Sequence, residues 1–158
     1  MMIEQISPML KTASVLFILP VIFLLAFTSA APAKEDLAED ILKYTNQFRR
    51  SKGLPALEMR DDLNVIARKH SEDMASGRRR FGHAGLNDRE LKVKRIIKPY
   101  HSLAENVAYG ANNGKEAVSI WKNSSGHRRN MLGNYKYIGI GTARNRRGVI
   151  YYTQIFVK

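Results

Sequence analysis

Three side chains, in three separate segments, could do chemistry together. They are His83 in Phe81-Gly-His-Ala-Gly, Glu105 in Ala-Glu-Asn-Val, and His127 in Ser-Ser-Gly-His-Arg-Arg-Asn130. Two neutral imidazoles and one carboxylate are what an open three-ligand zinc site requires, with the fourth position left to water. Without metal the same trio could serve as catalytic acid and base, because a carboxylate beside a histidine raises its pKa. The spacing, 22 residues each way, has no local signature, so only the fold can join them. Other chemistries fall away. The chain has no cysteine, which excludes zinc-thiolate sites, thiol nucleophiles and disulfide exchange. His70-Ser-Glu72 lacks the downstream cysteines that a deaminase needs. No H-E-x-x-H helix, G-x-S-x-G elbow or phosphate-binding loop occurs, and Gly139-Ile-Gly141 lacks a third glycine.

The elements that must position the trio follow from periodicity. Ala38, Ile41, Leu42, Thr45 and Phe48 form a helical apolar stripe, with Arg49, Arg50 and Lys52 in the last turn and Gly53 as the stop. Leu54 to Leu57 reads as an apolar loop. Asp61-Asp62 opens a second helix whose inner face is Leu63, Ile66, Ala67, His70 and Met74, closed by Gly77. His70 on that stripe reads as a hydrogen-bonded core histidine. Arg78-Arg79-Arg80 reads as a solvated turn. Asn87 and Glu90 resemble a capping box for a helix running to Ile97, ahead of Pro99, with Arg89, Lys92, Lys94 and Arg95 pointing outward.

Leu103–Gly110 fits either a strand or a helical turn. Ala117, Val118 and Trp121 mark one face of a fourth helix, and residues 126–132 make a short fifth one after the Ser-Ser-Gly break. The period then changes. Residues 137–143 and 149–157 are β-rich and joined by Arg144-Asn-Arg-Arg-Gly148, a hairpin. Several helices followed by a hairpin predict an α+β fold with helices on an antiparallel sheet.

Length favours one domain. Residues 1–33 differ in kind: Lys11 precedes an apolar run from Ala13 to Phe27, and Ala31-Pro-Ala33 supplies small residues for cleavage. They read as a secretory signal peptide, with an uncleaved N-terminal anchor as the alternative, so residues 34–158 form the working domain outside the cytoplasm. Residues 1–33 hold one acid, Glu4, and one base, Lys11, so the remainder keeps the whole net charge of +12. Such a charge favours anionic partners, whether a membrane surface or an acidic wall polymer, and export makes nucleic acid an unexpected one.

Seven segments in order carry a resemblance. They are Asn46-x-x-Arg49, Ala67-x-x-His70-Ser-x-Asp-Met74, Phe81-Gly-His83, Ala-Glu105-Asn-Val, Trp121-x-x-Ser-x-Gly-His127-Arg-x-Asn130-Met-Leu, Ile-Gly-Ile-Gly141 and Tyr-Thr-Gln154-Ile-Phe156. Together they resemble the CAP superfamily of cysteine-rich secretory, antigen 5 and pathogenesis-related proteins, in its short, cysteine-free bacterial form, from about Ile41 to Val157. The resemblance implies an α-β-α sandwich with helices on both faces of a small antiparallel sheet. It also implies a central cleft lined by two histidines and two acids, able to hold a divalent metal in some members. His83, Glu105 and His127 match three of the four. The second acid, expected just after Trp121, is absent from Lys122-Asn-Ser-Ser125. The family implies no single reaction, since a scaffold does not fix a function. Two readings therefore stand: an exported binding module for a lipid, wall polymer or protein, and a metal-dependent hydrolase using His83, Glu105 and His127. A third gives the trio a purely structural role.

Overall fold

The structure, a computed structural model, describes residues 36–158. The signal segment assigned to residues 1–33 lies outside them. The β-rich C-terminal runs set the frame: β3 (Tyr137–Arg144) and β4 (Ile150–Val157) form the predicted antiparallel hairpin, in register from Tyr137↔Val157 to Arg144↔Ile150. Leu103–Tyr109 is a strand, β2, antiparallel to β4 on its other side. Glu58–Met59, just after the Leu54–Leu57 loop, forms a two-residue strand, β1, parallel to β3. The sheet order is β1-β3-β4-β2, so three long strands are antiparallel and the short β1 makes the sheet mixed.

The pleat divides the strands between two cores. Ile138, Ile140, Tyr152 and Phe156 pack with Ile41 of α1 (Leu37–Arg50), with Ala117, Val118 and Trp121 of α4 (Gly114–Asn123), and with Met131 of α5 (Ser125–Met131). Ile155 and Val157 point the other way, onto Leu63 and Ala67 of α2 (Asp61–Ala75) and Val93 of α3 (Leu86–Ile96). Helices thus cover both faces, an α-β-α sandwich. Gly139 and Gly141 lie on the α2 side, and a Cβ at Gly139 would stand 2.5 Å from the Leu63 carbonyl carbon. These two glycines let the α2 backbone rest directly on the sheet.

Three local expectations are corrected. Arg49 does not decorate the end of α1 but is 1% exposed. Its Nε donates to Pro55 O at 2.9 Å, and one terminal nitrogen to Met131 O at 2.8 Å and Gly133 O at 2.9 Å. The end of a helix supplies carbonyls with no internal partner, and this guanidinium fastens the α5 terminus to α1. Second, α3 begins at Leu86 behind Gly85, whose φ of 75° is left-handed; Asn87 therefore lies inside the helix and caps nothing. Third, Arg89 of α3 points inward and is buried, for the reason given below.

Candidate functional site

Strand β2 lies at the sheet edge, and the site is built around it. Its hydrogen bonds to β4 alternate along the strand, and the carbonyls of Glu105 and Val107 face the open side. Helical side chains take them: Asn130 Nδ2 donates to Glu105 O at 3.2 Å and Trp121 Nε1 to Val107 O at 3.1 Å. An exposed row of backbone acceptors is thereby closed off, and α4 and α5 are held against the edge. This accounts for much of the Trp121…Asn130 motif, which serves position more than chemistry.

The Glu105 side chain projects onto the α2 and α3 face and is 4% exposed. Arg89 reaches it from α3 in a two-pronged bridge, Nε to Oε2 at 2.6 Å and a terminal nitrogen to Oε1 at 2.7 Å. His83, in the loop between α2 and α3, places Nδ1 2.9 Å from Oε1. A carboxylate only accepts, so Nδ1 carries the proton and Nε2 is the lone-pair nitrogen of the neutral ring. The same loop is tied down twice more, as Arg89 donates to Ala84 O at 3.0 Å and His70 Nε2 lies 2.9 Å from Gly82 O. His70 is the hydrogen-bonded core histidine that its place on the α2 stripe predicts. Burial, then the Arg89 charge, pushes its pKa down, and its Nδ1 is buried without a partner.

On the other face of β2, Asn106 Nδ2 donates to His127 O and to Gln154 Oε1, each at 3.2 Å. Gln154 continues the chain to Thr45 of α1 at 2.9 Å, and Asn130 Nδ2 returns to Asn106 Oδ1 at 3.0 Å. This polar thread fixes the backbone of α5 where His127 leaves it. Burial lowers the His127 pKa, and His83 lowers it further through like-charge repulsion. His127 Nδ1 is buried with no hydrogen-bond partner. The edge strand therefore brings Glu105 and His83 into direct contact, and it meets His127 through that residue's backbone carbonyl at Asn106.

Sequence reasoning did not find Arg89, whose only signal was its place in a run of basic residues on α3. Its presence bears on the zinc expectation. Both Glu105 oxygens are engaged by Arg89, and a guanidinium this close would stand beside any dication that the carboxylate bound. Among the described residues no three His, Asp or Glu side chains are grouped to hold a metal ion. The three-ligand set of His83, Glu105 and His127 does not fit this arrangement. Glu105 is placed instead as an orienting partner of His83.

Fold and edge-strand site together define a class of protein, and comparison with known proteins gives the same class. A model of the cysteine-rich secretory protein family, CAP, matches residues 42–156. An uncharacterized membrane protein of Bacillus subtilis, YlbC, is 35% identical over 123 residues, covering 76% of this chain and 34% of its own length. An extracellular SCP-domain protein of Bacillus anthracis superposes with a TM-score of 0.66 at 28% identity, over 77% of this chain and 40% of that one. A cysteine-rich secretory protein of Staphylococcus aureus does so with a TM-score of 0.63 at 26% identity, over 80% and 40%. The chain belongs to the CAP family, and it spans less than half the length of each of these relatives. No helix among the described residues is long and apolar enough to cross a membrane.

Proposed function

We propose that this chain is an exported, non-enzymatic binding module. It takes an extracellular lipid, wall polymer or protein at the polar cluster of His83, Glu105 and His127 and over its basic surface. One observation carries the reading: the Glu105 carboxylate is held on both oxygens by Arg89. A general base must reach the proton it takes, and this carboxylate, 4% exposed and holding three hydrogen bonds from Arg89 and His83, is turned into the protein. The His83 side chain, 48% exposed, is left to meet the ligand with Nε2 while Glu105 fixes its ring. The extracellular relative from Bacillus anthracis supports export. The competing reading, a metal-dependent hydrolase, requires Glu105 to leave Arg89 and join the two imidazoles.

Titration with zinc chloride in a calorimeter, paired with casein and p-nitrophenyl ester assays, separates the two. The module reading expects no hydrolysis with or without zinc, and no zinc affinity tighter than about 1 μM. Tighter zinc binding that both His83→Ala and His127→Ala abolish, together with zinc-dependent hydrolysis, would replace it with the hydrolase.

A further inference from the structure

The sheet face that carries Glu105 continues along the strands to their hairpin end, where its surface changes character. Tyr109 of β2 and Tyr151 of β4 are cross-strand partners, and their rings stack with centroids 5.7 Å apart and planes at 21°. Phe81, from the loop after α2, meets Tyr109 edge-on at 4.8 Å and 71°. Phe81 is 48% exposed and Tyr109 54%. They are the two aromatics among the exposed large apolar side chains of the described residues, and they touch each other. Phe81 and Tyr109, with the half-buried Tyr151 packed behind them, offer an aromatic surface to a ligand with a flat apolar face.

One strand further, Tyr151 is also paired with Ala143 of β3. Ala143 lines a groove of about 670 Å³ between the C-terminal end of α2 and the β3–β4 hairpin. Arg78, Arg144, Arg146 and Arg147 surround this groove against one acid, Glu72. Arg78 is paired with Asp73 at 2.7 Å. Among the described residues, Arg144, Arg146 and Arg147 have no carboxylate partner. Guanidinium groups in this state suit sulfate, phosphate or carboxylate, to which they donate in pairs.

Neither feature alone names a ligand. A basic groove takes any anion, and an aromatic strip takes many flat or apolar groups. Their continuity over three neighbouring strands selects a ligand that carries ring faces and negative charge in one extended chain. We propose that Phe81, Tyr109 and Tyr151, with Arg144, Arg146 and Arg147, form a binding surface for an anionic polysaccharide. Sugar rings lie on the aromatic strip, and the anionic groups enter the arginine groove. The inference rests on the binding-module reading and gives that module its ligand class. A flat bilayer fits less well, because the arginine groove is concave.

Fluorescence anisotropy of the full chain with labelled dextran sulfate, neutral dextran, inorganic polyphosphate and an oligothymidylate tests this. Phosphatidylglycerol vesicles are the membrane arm. Dextran sulfate is expected to bind at least about tenfold more tightly than neutral dextran. Arg146→Ser with Arg147→Ser should weaken dextran sulfate and polyphosphate alike, about tenfold. Tyr109→Ser should weaken dextran sulfate about threefold to tenfold and leave polyphosphate unchanged, a split that bulk charge cannot produce. All three positions are exposed, so the melting temperature should hold. Equal or absent effects of Tyr109→Ser on the two polyanions would overturn the surface, as would tighter binding of the oligonucleotide or the vesicles. Dextran sulfate binding lost in His83→Ala but not in these variants would move the ligand to the polar cluster, overturning this surface and leaving the module reading intact. No binding of any glycan probe also overturns the surface, whereas the module reading falls only to the zinc-dependent hydrolysis described above.

Discussion

Arg89 and Glu105 decide both what the cluster can do and whether it stays folded. Removing one partner of a buried, bidentate pair leaves the other charge uncompensated, at about 3–5 kcal/mol. Arg89→Ala should therefore lower the melting temperature by about 10 °C or more. Arg89→Lys should recover only part of this, because an ammonium cannot reproduce the fork. Replacing both residues with apolar ones of similar volume should cost clearly less than the sum of the two single changes. Thermal melts of the four proteins check this, and single changes costing under about 1 kcal/mol would contradict the buried bridge. Two histidines give stability an acid limit. His70 and His127 have folded-state pKa values below the ordinary histidine value, so they resist protonation that the unfolded chain accepts. Stability should be flat above about pH 7, then fall as pH drops below about 6.5 toward the folded-state values. Asp62 and Asp73, held down by Arg60 and by Lys69, act only below about pH 4. Urea midpoints at pH 7.5, 6 and 5 should show the fall, and His70→Gln should flatten it. The His83–Glu105 contact was legible from residue types, because imidazole and carboxylate in otherwise small, apolar or glycine-flanked segments have few other uses. Arg89 was not. Among Lys92, Lys94 and Arg95 it looks like another solvated charge until the fold supplies its carboxylate.

At the scale of elements, α2 lies so close to β3 that two strand positions tolerate no side chain. A Cβ at Gly141 would run into the backbone of Ala67 and Arg68, which cannot give way as a flexible side chain could. Gly141→Ala should cost about 3 kcal/mol or more, visible as a lost or much earlier melting transition. Gly126→Ala is the control: nothing stands within 4 Å of its Cβ, and it lies inside α5. That change should stabilise by about 0.5 kcal/mol through helix propensity. The helices and the hairpin were legible because each has a period and a stop signal. The parallel β1 was not, because two residues carry no period and their pairing with Tyr137 and Ile138 is a long-range fact. The strand-or-turn ambiguity at Leu103–Gly110 had the same origin, since a short half-apolar run acquires its state from the β4 partner. The purpose of the Gly-Ile-Gly run shows only when α2 is seen lying on it.

For the whole molecule, one quantity, the net charge of +12, should act in opposite directions on stability and on binding. Like charges crowded on a small domain repel one another, so the compact state is destabilised by its own field. Raising ionic strength from about 0.01 to 0.2 M shortens the Debye length from about 30 Å to under 10 Å. The melting temperature at pH 7 should consequently rise by a few degrees. The same screening should weaken every association driven by that field, so polyanion affinity falls over the same range. General charge and a built groove can then be told apart by the choice of anion. At equal ionic strength, screening treats all salts nearly alike. An anion held by Arg144, Arg146 and Arg147 adds a binding term that grows with the logarithm of its concentration over its dissociation constant. Dextran sulfate should thus raise the melting temperature beyond sodium chloride of matched ionic strength. The excess should vanish in Arg146→Ser with Arg147→Ser, while the sodium chloride response persists, slightly reduced by the two lost charges. Identical curves for the two salts in the unaltered chain would mean that the arginines contribute only to the overall field.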